Sequence, residues 1–262
     1  MTRREWVKAT VAAVLGATLF PWRDSLARST KPLAKKGASL LEVPEGLEPF
    51  FVNSGPGYGR RIALTFDDGP CPGVTDVILR ALERRNIQAT FFMIGRRVQA
   101  APSLGREVVA AGHEVGNHTL NHVPLSQYNS QRVYYEIARC QDIIEDQLRV
   151  SPHWFRPPYG AFRRNQGPIA LSRYLGIAFW NVDPQDWRRP GVSKIINTVV
   201  SKTEPGSIIL LHDIHEQTAE AVEPLLDELM DLEFTFTTMT RFLGLPYPII
   251  PRAIPVSPDV PI

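Results

Sequence analysis

An α/β fold on a mostly parallel sheet is what this 262-residue sequence predicts, and three observations predict it. Short apolar runs alternate with amphipathic helical patterns through residues 60–245. That stretch has the length usual for one domain. Polar residues gather just past the C-terminal ends of the apolar runs, the edge of an α/β sheet where side chains from several strands converge. Two architectures satisfy this pattern, a doubly wound open sheet and an incomplete (β/α) barrel, and periodicity does not choose between them.

The elements follow in order. Ile62-Ala63-Leu64-Thr65-Phe66 has strand character, and Val74, Val77, Ile78, Ala81 and Leu82 then recur along one face of a helix. A second strand is expected at 89–94, a helix over 98–111 ended by Gly112, and a short third strand at 114–116. A helix over 131–148 carries Val133, Ile137, Cys140 and Ile144 on its apolar face. Further strands are expected at 154–156, 177–182, 207–211 and 234–237, making seven in all. The helices among them are marked by Ile169 to Tyr174, by Ile195, Ile196, Val199 and Val200, and by Val222, Leu225, Leu226 and Leu229.

Both ends of the chain read differently. Arg3-Arg4 and Lys8 precede an uncharged run from Ala9 to Phe20 that is shorter than the roughly 20 residues needed to cross a bilayer. Ser25-Leu26-Ala27 then offers small residues for cleavage, so residues 1–27 have the shape of a signal peptide of twin-arginine type. The expected destination is periplasmic or extracellular, with no stable membrane span in the mature chain. Residues 28–59, with Gly55-Pro56-Gly57, read as linker and N-terminal arm, and residues 246–262, with six prolines, as an extended tail. The precursor carries 29 Lys+Arg against 27 Asp+Glu. That balance gives no footprint for nucleic acid, and two cysteines build neither a disulfide scaffold nor a thiolate zinc site. No oligomer-forming surface is visible, so a monomer is expected.

The chemistry starts with a metal. His118-Thr119-Leu120-Asn121-His122 places two imidazoles four positions apart, a spacing that would bring both to one side of a helical turn. Asp67 and Asp68 end an apolar strand, where an unpaired charge is strongly penalised without a cation or partner. Two His and one Asp leave a coordination position open, the layout of a catalytic site. Nitrogen and oxygen donors without thiolate suit Zn2+, with Co2+, Ni2+, Mn2+ or Fe2+ as competitors. From the residues alone, both carboxylates remain eligible as ligands.

Thr65-Phe66-Asp67-Asp68-Gly69-Pro70, His118-Thr119-Leu120-Asn121-His122, Arg156-Pro157-Pro158-Tyr159-Gly160, Asp183-Pro184-Gln185-Asp186-Trp187 and Leu210-Leu211-His212 resemble the five ordered motifs of the polysaccharide deacetylases, the NodB-homology domain of carbohydrate esterase family 4. The resemblance spans residues 60–245 and implies a distorted (β/α) barrel of about seven parallel strands. It also implies metal-dependent hydrolysis of N-acetyl groups on aminosugar polymers such as peptidoglycan or chitin-like oligomers. It assigns Asp68, His118 and His122 as ligands, Asp67 as general base and Asp186 as the aspartate that tunes the acid. His212 is the candidate acid, since an amine leaves poorly unless protonated and a carboxylate on its ring would stabilise the cationic form. Arg156 would pair with Asp67, and the Tyr159 backbone N–H would stabilise the tetrahedral oxyanion. Trp187 and Leu210 fit as walls of a slot for the acetyl methyl.

Alternative readings are an O-acetyl esterase of xylan type and a catalytically silent glycan-binding module. His113, His153 and His215 have no assigned role, and Asp183 is open to a structural one. Cys71 lies near the predicted metal loop, Cys140 reads as a core thiol, and no disulfide joins them in this reading.

Overall fold

The computed structural model describes residues 49–244 except Tyr174. The expected leader, the arm as far as residue 48 and the Pro-rich tail lie outside the described residues. Among the described residues eight strands are present: β1 (Phe51–Val52), β2 (Arg61–Asp67), β3 (Thr90–Met93), β4 (Glu114–Asn117), β5 (Trp154–Phe155), β6 (Gly176–Ala178), β7 (Ile208–His212) and β8 (Thr235–Thr237). Their order is β1-β6-β5-β4-β3-β2-β7, with β8 pairing the first half of β2, and every ladder is parallel.

The far edges of this sheet meet. Val182, just past β6, bridges Ile209 of β7, with Leu210 N–H donating to the Val182 carbonyl at 2.9 Å and Val182 N–H to that of Ile208 at 3.2 Å. Ser54, just past β1, bridges Ser207 in the antiparallel sense. The sheet therefore curls into a distorted barrel, the architecture that periodicity alone left open.

The helices surround it: α1 (Thr75–Glu83), α2 (Gly95–Ala100), α3 (Pro102–Ala110), α4 (Ser130–Leu148), α5 (Gly167–Leu171), α6 (Val192–Lys202), α7 (Glu216–Asp231) and α8 (Met239–Phe242). In α1 the face of Ile78, Ala81 and Leu82 is buried, and in α7 that of Val222, Leu225, Leu226 and Leu229. Both meet the buried Leu64, Phe66, Phe91 and Leu211 of the sheet in one core. Each buried Val, Leu, Ile or Phe among them contributes about 1.5–3 kcal/mol on leaving water.

Three differences from the sequence reading have physical causes. The helix expected over 98–111 is two, because Pro102 carries no N–H and holds Ala101 at φ −134, ψ 60, outside helical space. Strand β1 lies inside the segment read as an arm; two residues show no period, and their strand state comes from pairing Phe51 with Ile177 and Val52 with Ala178. The segment holding His118 and His122 is an irregular loop rather than a helical turn, with Thr119 at φ 68 and His122 at φ 56.

Register puts the polar residues together. Asp67 of β2 pairs with His212 of β7 and with Phe92 of β3, while Asn117 of β4 pairs with Phe155 of β5. Asp68, His118 and Arg156 are each the next residue along, so all leave the barrel at one rim.

Candidate active site

Asp68, His118 and His122 each offer one ligand atom, and these three atoms lie within 4.8 Å of one another. His122 Nε2 stands 3.1 Å and His118 Nε2 3.4 Å from Asp68 Oδ1. That oxygen is buried and accepts no hydrogen bond. The reason lies on the far side of the rings. His118 Nδ1 faces the Arg156 carbonyl at 2.7 Å, and a carbonyl only accepts, so Nδ1 carries the proton and a neutral ring turns its Nε2 lone pair inward. His122 Nδ1 lies 3.1 Å from the Tyr159 hydroxyl, whose oxygen is able to accept a hydrogen bond from it.

Two arrangements would satisfy Asp68 Oδ1. In one, both rings are imidazolium; burial raises the carboxyl pKa, but the hydrogen bonds and charge of His118 and His122 more than reverse it and hold Asp68 well below its ordinary value. The ring centroids are only 5.0 Å apart, however, so that arrangement sets two like charges side by side in a largely buried site. In the other, neutral rings and the carboxylate share a cation, which meets the orphaned oxygen and both lone pairs together. The donor set fits a divalent metal.

Asp67 sits beside this cluster, with Oδ1 accepting from Arg156 Nη1 at 2.8 Å and Oδ2 lying 3.7 Å from His118 Nε2. Arg156 is fully buried and also donates to Thr65 Oγ1 at 2.7 Å and to the Phe179 carbonyl at 3.0 Å, with its guanidinium 4.1 Å above the Phe92 ring. On the next strand His212 Nδ1 meets Asp186 Oδ1 at 2.7 Å. The other oxygen of Asp186 accepts from the His212 N–H at 2.8 Å and from Thr218 Oγ1 at 2.7 Å. Burial alone would lower the His212 pKa, but the hydrogen bond and charge of Asp186, with Asp67 and Asp68 behind it, push it up to about 9.

Eight of the ten residues expected at the site line one cleft of about 310 Å³: Asp67, Asp68, His118, His122, Tyr159, Trp187, Leu210 and His212, joined by Trp180 and Asp183. The other two, Arg156 and Asp186, stand behind it with no exposed surface, one holding Asp67 and the other His212. Among the remaining histidines, His113 is pulled down to about 4 by burial, and His215 lies 6.3 Å from His212, ring to ring. Cys71 and Cys140 are both free thiols.

A family model described as polysaccharide deacetylase matches residues 54–180. The peptidoglycan-N-acetylglucosamine deacetylase of Bacillus cereus is 37% identical over 195 residues, covering 72% of this chain and 90% of that protein. The chain belongs to the polysaccharide deacetylase family. Among other members, the peptidoglycan-N-acetylglucosamine deacetylase PgdA of Listeria monocytogenes is 37% identical over 185 residues, which are 71% of this chain and 39% of that longer protein. A solved structure from this family, BA3943 of Bacillus anthracis, superposes with a TM-score of 0.72 at 28% identity, covering 75% of this chain and 70% of that one, and is described as a pseudoenzyme of carbohydrate esterase family 4. Polysaccharide deacetylases thus include members named as enzymes and one named as a pseudoenzyme, so the site residues themselves carry the functional question.

Sequence reasoning missed two carboxylates that build the site. Glu136 of α4 is completely buried and accepts from Asn121 N–H at 2.9 Å and Asn121 Nδ2 at 2.8 Å, fastening the loop between His118 and His122. Its signal was a Glu on the face that buries Val133, Ile137 and Cys140. Asp213 accepts from the Gly69 N–H at 2.9 Å and from Thr75 Oγ1 at 2.6 Å, behind the loop of Asp68. A Cβ at position 69 would come within 2.0 Å of its Oδ2, so the residue after Asp68 has to be glycine.

Glu136→Gln keeps the shape of this brace but replaces one acceptor with a donor facing the Asn121 amides. Zinc affinity of the purified variant, followed by calorimetric titration, is expected to fall about 10- to 100-fold with the fold retained. Unchanged affinity would show that the loop holds its shape without the brace.

Proposed function

We propose that this chain is an exported, metal-dependent hydrolase that removes acetyl groups from N-acetylglucosamine-type units of peptidoglycan or chitin-like oligomers. The observation carrying this reading is one cleft that holds a cation-ready Asp-His-His cluster, a carboxylate with one oxygen uncommitted, and, on the adjoining strand, His212 backed by the buried Asp186. A divalent metal held by Asp68, His118 and His122, most simply Zn2+, would supply Lewis acidity at the scissile carbonyl and an acidified water.

The chain's own groups supply the proton transfers. Asp67 Oδ1 is held by Arg156, which leaves Oδ2 to take the proton of the attacking water as its oxygen joins the carbonyl carbon. His212, its Nδ1 committed to Asp186, has Nε2 to protonate the sugar nitrogen as the C–N bond breaks, releasing acetate and the amine. The Tyr159 backbone N–H is assigned to the oxyanion, and Leu210 with Trp187 to the acetyl methyl. A proton donor of this kind favours an amide over an ester substrate, because an amine departs far less readily than an alcohol. Intact ligands and an intact His–Asp pair argue against a silent module. Export rests on the leader-like residues 1–27; among the described residues no helix is long and apolar enough to cross a membrane.

The test is acetate release from N-acetylated chitooligosaccharide and from cell-wall glycan fragments, with a mass loss of about 42 Da per sugar as an acetyl is replaced by hydrogen. Turnover should vanish with chelator and return with Zn2+ or Co2+. Persistent inactivity on both glycans after metal loading, or faster release from acetyl esters, would overturn the reading.

A further inference from the structure

Asp183 stands at one side of the cleft. The same residue lines a second, more polar hollow of about 550 Å³, walled by Pro184 and Gln185 on one side and by Lys194, Asn197 and Lys202 of α6 on the other. At about 310 Å³ the first cleft is at the small end of ligand pockets, about 300–1,000 Å³, so a polymeric substrate has to continue past it.

The lip formed by this second hollow sets two lysines against the single carboxylate of Asp183. The Arg188 guanidinium sits 4.6 Å over the Trp187 ring at the cleft mouth. Arg189 acts on His215, the neighbour of His212, and Lys202 acts on Asp183. None of Arg188, Arg189, Lys194 and Lys202 makes an ion pair with a carboxylate among the described residues. Some other surface arginines do find partners, as Arg84 does in Glu223, Arg85 in Asp227, and Arg139 and Arg173 in Asp142. Cations left unpaired along a groove raise the local concentration of anions and orient them on approach.

We propose that this lip binds a carboxylate carried by the glycan strand beside the sugar being deacetylated, so that acid-bearing strands are preferred to neutral ones. The inference rests on the glycan deacetylase reading and narrows its substrate to peptidoglycan-like, anionic polymers. The carboxylate belongs either to an acid substituent on the sugar or to an attached peptide; strands with and without peptide tell the two apart.

Binding and turnover of the zinc-loaded chain are measured separately on three oligosaccharides of equal length: neutral chitooligosaccharide, a strand carrying sugar-linked carboxylates, and the same strand with peptides. The expected result is tighter binding of one or both acidic strands, weakened by added salt. In the double variant Lys194→Gln, Lys202→Gln that binding drops roughly two- to thirtyfold while neutral-strand binding stays the same. Equal affinity for neutral and acidic strands, or a salt-independent preference untouched by the double variant, overturns the proposal whatever the turnover. Tighter acidic binding that the variant abolishes, with no acetate released from any strand, supports the lip and sinks the deacetylase reading instead.

Discussion

Asp68→Asn is expected to remove metal uptake and turnover together. The substitution keeps volume but withdraws the charge from an oxygen that neutral rings approach only with lone pairs, so the cation loses its anionic ligand. The lost polarisation of the carbonyl is worth several kcal/mol, and at about 1.4 kcal/mol per tenfold this means roughly a 10³-fold or greater fall in kcat/KM. Activity alone would not separate metal loss from misfolding, so thermal unfolding is followed with and without Zn2+. At metal concentrations about 100 times Kd the wild-type chain gains about 2.7 kcal/mol, and the variant gains nothing. A variant that is still stabilised by zinc and still turns over would show that Asp68 is not a ligand and that Asp67 fills that place.

Asp186→Asn has the second large effect, and its sign is set by two opposing influences on His212. Burial lowers the pKa of that ring; Asp186 reverses this and, with help from Asp67 and Asp68, carries it to about 9 from an ordinary 6.5. A dication on Asp68 cancels part of that help, so the loaded enzyme should lose activity along an alkaline limb lying between these two values. Below the limb His212 holds its proton and can act as acid; above it the proton is gone. With Asn at 186 burial is left largely unopposed, the limb moves below 6.5, and kcat at neutral pH drops by about 10²–10⁴, the usual range for one general acid. The stability linkage has the same direction. A raised folded-state pKa stabilises the fold below the unfolded value of 6.5, and that contribution is lost as pH rises through the folded value. An alkaline limb unmoved in Asp186→Asn would exclude His212 as the titrating acid.

Much of this site was legible because α/β chemistry sits where apolar runs stop. Asp67, Asp68, His118, Arg156 and His212 each follow a run of strand residues, and parallel register then brings them to one rim. The path of the chain between His118 and His122 was not legible, since the spacing of two histidines suits a helical turn and an irregular loop equally well. Their geometry is imposed from outside, by Glu136 of α4 and the Arg156 carbonyl, which are contacts between residues distant in sequence. Asp213 escaped notice for the same reason: its task is to occupy space and accept a hydrogen bond behind Gly69, and only the folded chain shows what lies there. Strand β1 and the closure at Val182 depend wholly on their partners across the sheet.

Arg156 serves the two halves of the centre with two different parts of itself, its main-chain carbonyl toward His118 and its guanidinium toward Asp67. Every amino acid brings a carbonyl, so a codon change at 156 keeps the first contact and deletes the second, together with the guanidinium's bonds to Thr65 and the Phe179 carbonyl. On the proposed reading, an allele there that still folds is expected to capture its ion and hold the polymer without processing it. Under the proposed function such a lesion would be a decoy rather than a null, competing with the intact form for the same glycan.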